Sequence, residues 1–313
     1  MANKFKYSNT NKRYYTYDFY LKNKFGCKVF KVPLDAGFTC PNRDGTVGTG
    51  GCIFCNAQGS GEFSGDRLDS LQTQFEKMKN VLHKKWPVAK YIAYFQAFTN
   101  TYAPIEILKN KFESFINVDN VVGISIATRP DCLPINVLNY LEELSKKTEL
   151  WIELGLQTIN DKTAKLINRG YDYNVFLNAV KELRKRNINI TVHIINGLPY
   201  ETKKDMIDTI KSLSKLDIQG VKIHSLNILK NTELARLYLS TNFYIMSFEE
   251  YIDLLVEQLE HLRENIIVQR ISGDAIPSEL IEPKWSINKR NIANSLDKKM
   301  SILDTYQGIK YHE

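Results

Sequence analysis

Six strand-like runs, YIAYFQ, VVGISIA, LWIELGL, INITVHII, GVKIHSLNI and NIIVQRI, follow one another along this chain, and a seventh, CKVFKVPLDA, precedes them. Helix-length amphipathic segments such as IEILKNKFESF, PINVLNYLEELSKK and FLNAVKELRKR separate them. A βα unit repeated six or seven times demands a mostly parallel sheet with right-handed crossovers. The predicted class is therefore α/β, as a partial (βα)6-type barrel with a short C-terminal extension. A doubly wound sheet competes, but neither GxGxxG nor GxxxxGK[ST] follows any of these strands. In a barrel the chemistry gathers at the C-terminal ends of the strands. Those ends carry Gln96 and Asn100; Ser125, Thr128, Arg129, Pro130 and Asp131; Glu153 and Gln157; His193 and Asn196; and His224 and Asn227. The 313 residues divide into an arm over 1–26, a core barrel over 27–264 and an extension over 265–313, where RISGDAIPSELIEPKWSINKR breaks the rhythm. A helix is expected from about Asp66, with Leu68, Leu71, Phe75, Met78 and Leu82 on one face.

Charge is distributed unevenly. Lys and Arg number 42 against 35 Asp and Glu, yet the first 31 residues hold eight cations and one acid, Asp18, which accounts for the whole excess. That segment interleaves its cations with Tyr7, Tyr14, Tyr15, Tyr17 and Tyr20, a mixture suited to phosphates and stacked bases or to a solvated basic tail. At 43% apolar and 25% charged residues, the composition excludes collagen-like and largely disordered classes. No apolar run approaches the roughly 18 residues that cross a bilayer, and MANKFKYSNTNKRYY lacks the apolar stretch of a secretion signal. The expectation is a cytoplasmic protein that does not enter membranes.

Five cysteines in such a chain point to reduced thiols. Three crowd into CPNRDGTVGTGGCIFC, within the Gly-rich stretch Gly37–Gly65 that follows the first strand. Three thiolates do not close a tetrahedral zinc site, and His83, the next histidine, falls on the predicted first helix. In a [4Fe-4S] cluster three cysteines leave one iron open to a small molecule, a catalytic arrangement. Iron–sulfur is the better reading and zinc the alternative. Gly48, Gly50 and Gly51 would let the loop fold tightly around the metal. Cys27 reads as buried filler. His193 and His224 lie in apolar runs and read as hydrogen-bonded core residues.

Cys40, Cys52 and Cys55 form Cx11Cx2C with Phe54 before the last cysteine, where most radical S-adenosylmethionine (SAM) enzymes have Cx3Cx2C. Together with LDAGFTCPNRDGTVGTGGCIFCNAQGSGEF, IATRPDCLP, WIELGLQT, INRGYDY, HIINGLP and VKIHSLNIL, the chain resembles the YhcC/YtqA (MnmL-like) radical SAM subfamily, relatives of the Elongator catalytic subunit. The resemblance implies Cys40, Cys52 and Cys55 as ligands of a [4Fe-4S] cluster and SAM as the second cofactor, bound at the open iron and split reductively to a 5′-deoxyadenosyl radical. It puts Gln96 where many members grip the methionyl amine with a Gly-Gly-Glu motif that AYFQAFTNT lacks. Ser125, Thr128 and Arg129 would hold the ribose and carboxylate, Asn196 and Gly197 would border the adenine, and Phe54 and Gln157 would flank the cofactor. Glu153 shares the barrel-facing side with Gln157 and is a catalytic candidate. Cys132, after Arg129-Pro130-Asp131, is a second, either as a hydrogen donor or as a packing thiol. The implied substrate is tRNA, at the wobble uridine side chain, with carboxymethylaminomethyl converted to aminomethyl; a flavodoxin or ferredoxin would donate the electron. A small-molecule or protein substrate, and a noncatalytic metal-cluster module that binds RNA, are the alternatives.

Overall fold

The computed structural model describes residues 3–59, 63–84 and 86–312, so positions 60–62 of the Gly-rich stretch and the first two residues of the arm lie outside it. Seven strands form one parallel sheet: β1 (Lys28–Leu34), β2 (Ala89–Phe95), β3 (Val121–Thr128), β4 (Glu149–Gln157), β5 (Asn189–Asn196), β6 (Gly220–Ser225) and β8 (Ile267–Arg270). They pair in chain order, β1-β2-β3-β4-β5-β6-β8. A doubly wound sheet reverses direction at a switch point; this one never does, so it is a partial barrel. A two-stranded antiparallel ribbon, β7 (Ile228–Leu229) with β9 (Leu280–Glu282), fastens the C-terminal extension beside the end of β6.

The helices in chain order are α1 (Tyr17–Phe25), α2 (Leu71–His83), α3 (Ile105–Glu113), α4 (Ile135–Ser145), α5 (Asp161–Leu166), α6 (Tyr173–Lys185), α7 (Lys203–Ser214), α8 (Glu233–Thr241), α9 (Phe248–His261) and α10 (Lys289–Ile302). Their apolar faces cover the outer side of the sheet, where Val32, Phe95, Ile126, Ile152, Val192 and Ile223 meet Phe112, Leu141, Phe176, Leu213 and Leu259 in one continuous core. The helix expected from Asp66 starts at Leu71 instead. Asp66 spends its carboxylate on the Leu68 amide, and Ser70 caps the helix by accepting from the Thr73 amide at 3.1 Å. Leu68 is left exposed.

The N-terminal segment is not a free arm. Phe5 and Tyr14 are buried, Tyr15 accepts a hydrogen bond from the Val268 amide at 2.7 Å, and Thr16 bridges to β8 in parallel fashion. With α1 packed against both β1 and β8, this segment covers the seam where the sheet does not close on itself. All eight of its cations are ion-paired: Lys4 and Arg13 with Asp304, Lys6 with Glu264, Lys12 with Asp297, Lys22 and Lys28 with Asp18, Lys24 with Glu149 and Lys31 with Glu153. Tyr7 stacks on Tyr15 and Tyr17 on Tyr20, and Tyr17 and Tyr20 meet Trp151 edge to face. Neither the cations nor the rings form the open phosphate-binding surface that the composition suggested. Among the described residues no helix is long and apolar enough to cross a membrane.

Candidate active site

Outward-facing strand residues build the core, so the inward-facing set is released for other work. A cavity of about 520 Å³ runs inside the barrel from the cysteine loop at its mouth to a polar floor. Cys40, Cys52, Phe54 and Cys55 line its mouth with Gln96, Thr128, Arg129 and Gln157, and Glu153 lies deeper among Lys31, Tyr94, His193, Lys222, His224, Gln269 and Arg270. A pocket of this size suits a cofactor with part of a substrate.

The unusual eleven-residue gap between Cys40 and Cys52 is taken up by a small hairpin. Asp44 bridges Thr49, and the Gly51 amide donates to the Asn42 carbonyl at 2.8 Å, which returns the chain to its starting point. Gly51 has φ +83°, and a Cβ there would sit 2.8 Å from Arg43 Nε. The hairpin is clamped from across the barrel mouth by the turn after α5. Asn42 Nδ2 donates to the Asn168 carbonyl at 2.6 Å, Asn168 Nδ2 to the Gly51 carbonyl at 2.8 Å, and the Ile53 amide to the Ile167 carbonyl at 3.0 Å. Gly170, at φ +84°, permits the approach, because a Cβ there would lie 3.0 Å from Asn42 Oδ1. INRGYDY therefore positions the cysteine loop, a role its residues did not announce.

Arg169 anchors that turn from below. Fully buried, it donates at 2.6 Å to both the Leu156 and Thr158 carbonyls, which flank the bulge where Gln157 takes φ +64° at the end of β4. Tyr171 stands between Arg129 and Arg169, each guanidinium under 5 Å from its ring, and its hydroxyl donates to the Gly155 carbonyl.

Glu153 is the hub of the floor. Its Oε1 accepts from Lys31 Nζ and, at 2.7 Å, from Ser125 Oγ; its Oε2 lies 2.5 Å from Lys222 Nζ and 2.6 Å from His193 Nε2. Burial alone would raise its pKa, but Lys222, Lys31 and the His193 hydrogen bond hold the carboxyl well below the usual range. Burial drives Lys222 well down against the opposing pull of Glu153, and lowers His193 to about 4, so its imidazole is neutral near pH 7. His224 stacks on His193 with centroids 5.2 Å apart. Both histidines thus line the cavity and are not core residues.

The remaining candidates separate by strand parity and contact. Thr128 shares a 2.6 Å hydrogen bond with Thr101, and Arg129 grips Asp131 through Nε and Nη2 at 2.9 and 2.6 Å, so both lie at the mouth already engaged. Ser125 belongs to the Glu153 network and is not among the residues lining the cavity. Asn196 points the other way: its amide pairs reciprocally with Gln258 of α9 at 2.8 and 2.9 Å, while the Gly197 amide meets Met206 Sδ. Neither borders the cavity. Cys132 is buried beside Asp131, its thiol pushed up to about 12 by burial, and is not among the residues lining the cavity. Cys27 is half-buried, more open than a filler residue.

Residues 43–213 match the radical SAM superfamily, and residues 218–301 match the radical SAM C-terminal domain. The chain belongs to the radical SAM superfamily. It is 52% identical to YtqA of Bacillus subtilis (strain 168), covering 98% of this chain and 95% of that one, and 34% identical to YhcC of Escherichia coli (strain K12), covering 90% of each. A tRNA uridine(34) acetyltransferase of Methanocaldococcus infernus is 25% identical over 57% of this chain and 33% of its own. Among solved structures, the archaeal Methanocaldococcus infernus Elp3 superposes with a TM-score of 0.67 at 17% identity, covering 89% of this chain and 64% of that one, which shows a shared fold. The chain is accordingly a radical SAM enzyme of the YhcC/YtqA group that shares its fold with Elp3, and its cofactors are a [4Fe-4S] cluster and SAM. The reading as a noncatalytic module falls with that membership.

The residues present fit these groups. Cys40, Cys52 and Cys55 all line the cavity, and Cys52 is pushed up by its hydrogen bond with Cys55 and by burial, with Cys40 adding to the rise. Among the described residues no three His, Cys, Asp or Glu converge closely enough for a single metal ion. The three cysteines would hold the cluster, which with SAM supplies one-electron reductive cleavage and hydrogen abstraction. The protein's own contribution is a closed hairpin at the thiols, donors and acceptors at the mouth, and a buried ionic floor that keeps bulk water from the reacting groups.

Proposed function

We propose that this radical SAM enzyme modifies the wobble uridine of tRNA, converting a carboxymethylaminomethyl side chain to aminomethyl. Cys40, Cys52 and Cys55 ligate the cluster; Phe54, Gln96, Thr128, Arg129 and Gln157 surround SAM; and a cytoplasmic flavodoxin or ferredoxin supplies the electron. The observation that carries this reading is that one cavity joins the thiols at the mouth to an ionic floor around Glu153, giving room for a polar side chain beyond the cofactor. The similarity to a protein named tRNA uridine(34) acetyltransferase supports the tRNA. Anaerobically reconstituted protein is expected to form 5′-deoxyadenosine with SAM and reductant, and a deletion strain to accumulate the carboxymethylaminomethyl nucleoside. An unchanged nucleoside profile removes the tRNA claim.

A small-molecule or protein substrate is the second reading, and one observation favours it: the cations of the N-terminal segment are all paired with carboxylates. Under it, binding to bulk tRNA would be undetectable or insensitive to salt.

A further inference from the structure

The floor of the cavity gathers basic side chains. Lys31, Lys222 and Arg270 line it against the carboxylates of Glu153 and Asp274. Lys31 is spent, donating to Glu153, to Ser125 at 3.2 Å and to Gln269 at 2.8 Å. Lys222 has two acceptors, Glu153 at 2.5 Å and the Tyr94 hydroxyl at 3.0 Å, and its Nζ lies 4.3 Å from the centroid of the Tyr94 ring. Arg270 Nη1 lies 2.8 Å from Asp274, which is shared with Lys289, and the Arg270 side chain is 34% exposed at the cavity wall. His224 Nε2 is buried with no hydrogen-bond partner.

These three side chains are neighbours by register. Lys222 pairs directly with Arg270 across β6 and β8, and His224 follows Lys222 by two residues on the same inward face of β6. Buried polar groups in native proteins are ordinarily satisfied, so the orphan imidazole nitrogen of His224, on one wall with the basic side chains of Lys222 and Arg270, marks a place for a polar ligand. The ligand's chemistry follows: a compact, planar acceptor with one negative charge.

We propose that Lys222, His224 and Arg270 form a carboxylate receptor that holds the substrate's acidic terminus at the barrel floor. The assignment rests on the reading above and adds what that reading lacks, the means by which a carboxymethylaminomethyl group is told from an uncharged side chain. Engaged carboxylate would accept from Arg270 and Lys222 together, placing the adjoining methylene above them toward the thiol end of the cavity. Glu153 has the separate task of keeping Lys31 and Lys222 folded inward.

Binding to the full-length, anaerobically reconstituted protein tests this with two probe pairs: the nucleoside 5-carboxymethylaminomethyluridine against its methyl ester, and N-benzylglycine against its methyl ester. The acids are expected to bind at least about tenfold more tightly than the esters, the scale of one charge-assisted hydrogen-bond set. Arg270→Gln should collapse that ratio toward one without weakening the esters. Arg270 lies on a short, partly open strand end, and His224→Asn provides a second variant, checked by thermal melting, that should reduce the ratio by a smaller factor. Acids and esters binding the parent protein equally, or a ratio unchanged in both folded variants, overturns the receptor. Selective binding of N-benzylglycine with no nucleoside binding supports the receptor and removes the tRNA reading, so the two fail separately.

Discussion

Glu153 shows how much a single inward side chain decides. Two lysines, a histidine and a serine are arranged around a carboxylate that is wholly buried. Removing one partner of a buried ionic network costs more than the network stabilises, because charge is left without compensation. Glu153→Gln is therefore expected to lower unfolding free energy at pH 7.5 by about 3–5 kcal/mol in urea titrations, and adding Lys222→Met should recover part of it; equal stability of Glu153→Gln and parent contradicts the hub. His193 supplies a pH test. Its pKa is about 4 when folded, against about 6.5 when unfolded. Between those values the unfolded chain takes a proton that the folded chain refuses, so stability falls as pH drops from 6.5 toward 4. Glu201 works the other way: burial raises it to about 7, and it favours the folded state as pH falls toward its unfolded value near 4.5. Comparing His193→Asn with the parent cancels Glu201. The variant should lose about 2 kcal/mol less between pH 7.5 and 5, and parallel urea midpoints would contradict it. Lys31 and Lys222 were not legible as site residues. A lysine on a strand ordinarily faces solvent, and Lys31 was counted with the basic segment; only the barrel's inward polarity turns both to the centre. The misplacement of Asn196 has the converse cause, since it lies one residue out of step with His193 and Ile195 and so faces α9.

At the scale of elements, the strands were legible because short runs rich in Val, Ile and aromatic residues recur in order between helix-length amphipathic segments. The cysteine cluster was legible as metal chemistry from spacing. What spacing did not disclose was why eleven residues separate the first two thiols. The answer lies in two elements distant in sequence, the hairpin over 42–51 and the turn over 167–170, which hydrogen-bond across the mouth. Their coupling gives a prediction. Gly51→Ala combines a disfavoured positive φ with a Cβ only 2.8 Å from Arg43, whereas Gly50→Ala carries the φ penalty with nothing within 4 Å. The φ penalty alone is about 1 kcal/mol. Gly51→Ala is expected to take up markedly less iron than Gly50→Ala after identical anaerobic reconstitution while both melt within a few degrees of the parent. Equal iron in the two variants would show that hairpin closure does not set cluster assembly. Arg169→Leu should be worse than either in melting, since it strands the Leu156 and Thr158 carbonyls in a buried site.

For the whole molecule, the open question is how a sheet that does not close is kept from exposing its interior, and the N-terminal segment answers it. Deleting residues 3–15 would remove Phe5, Tyr14 and the acceptor for the Val268 amide, and leave α1 alone over the seam between β1 and β8. The charge that drew attention to this segment serves folding, since its partners Asp297, Asp304 and Glu264 lie at the other end of the chain. Composition counts charge without regard to partners, which is why the segment looked like a phosphate-binding arm. The two roles are separable by salt dependence. Each phosphate contact steepens the fall of log affinity with log salt by about 0.7–0.9, so three contacts contribute about two to three to the slope. Replacing Lys4, Lys6 and Lys12 together by Gln is expected to leave the salt slope of tRNA binding within about one unit of the parent. A slope reduced by two or three would mean that these lysines leave their carboxylates for the phosphate backbone, and that the segment opens when tRNA docks.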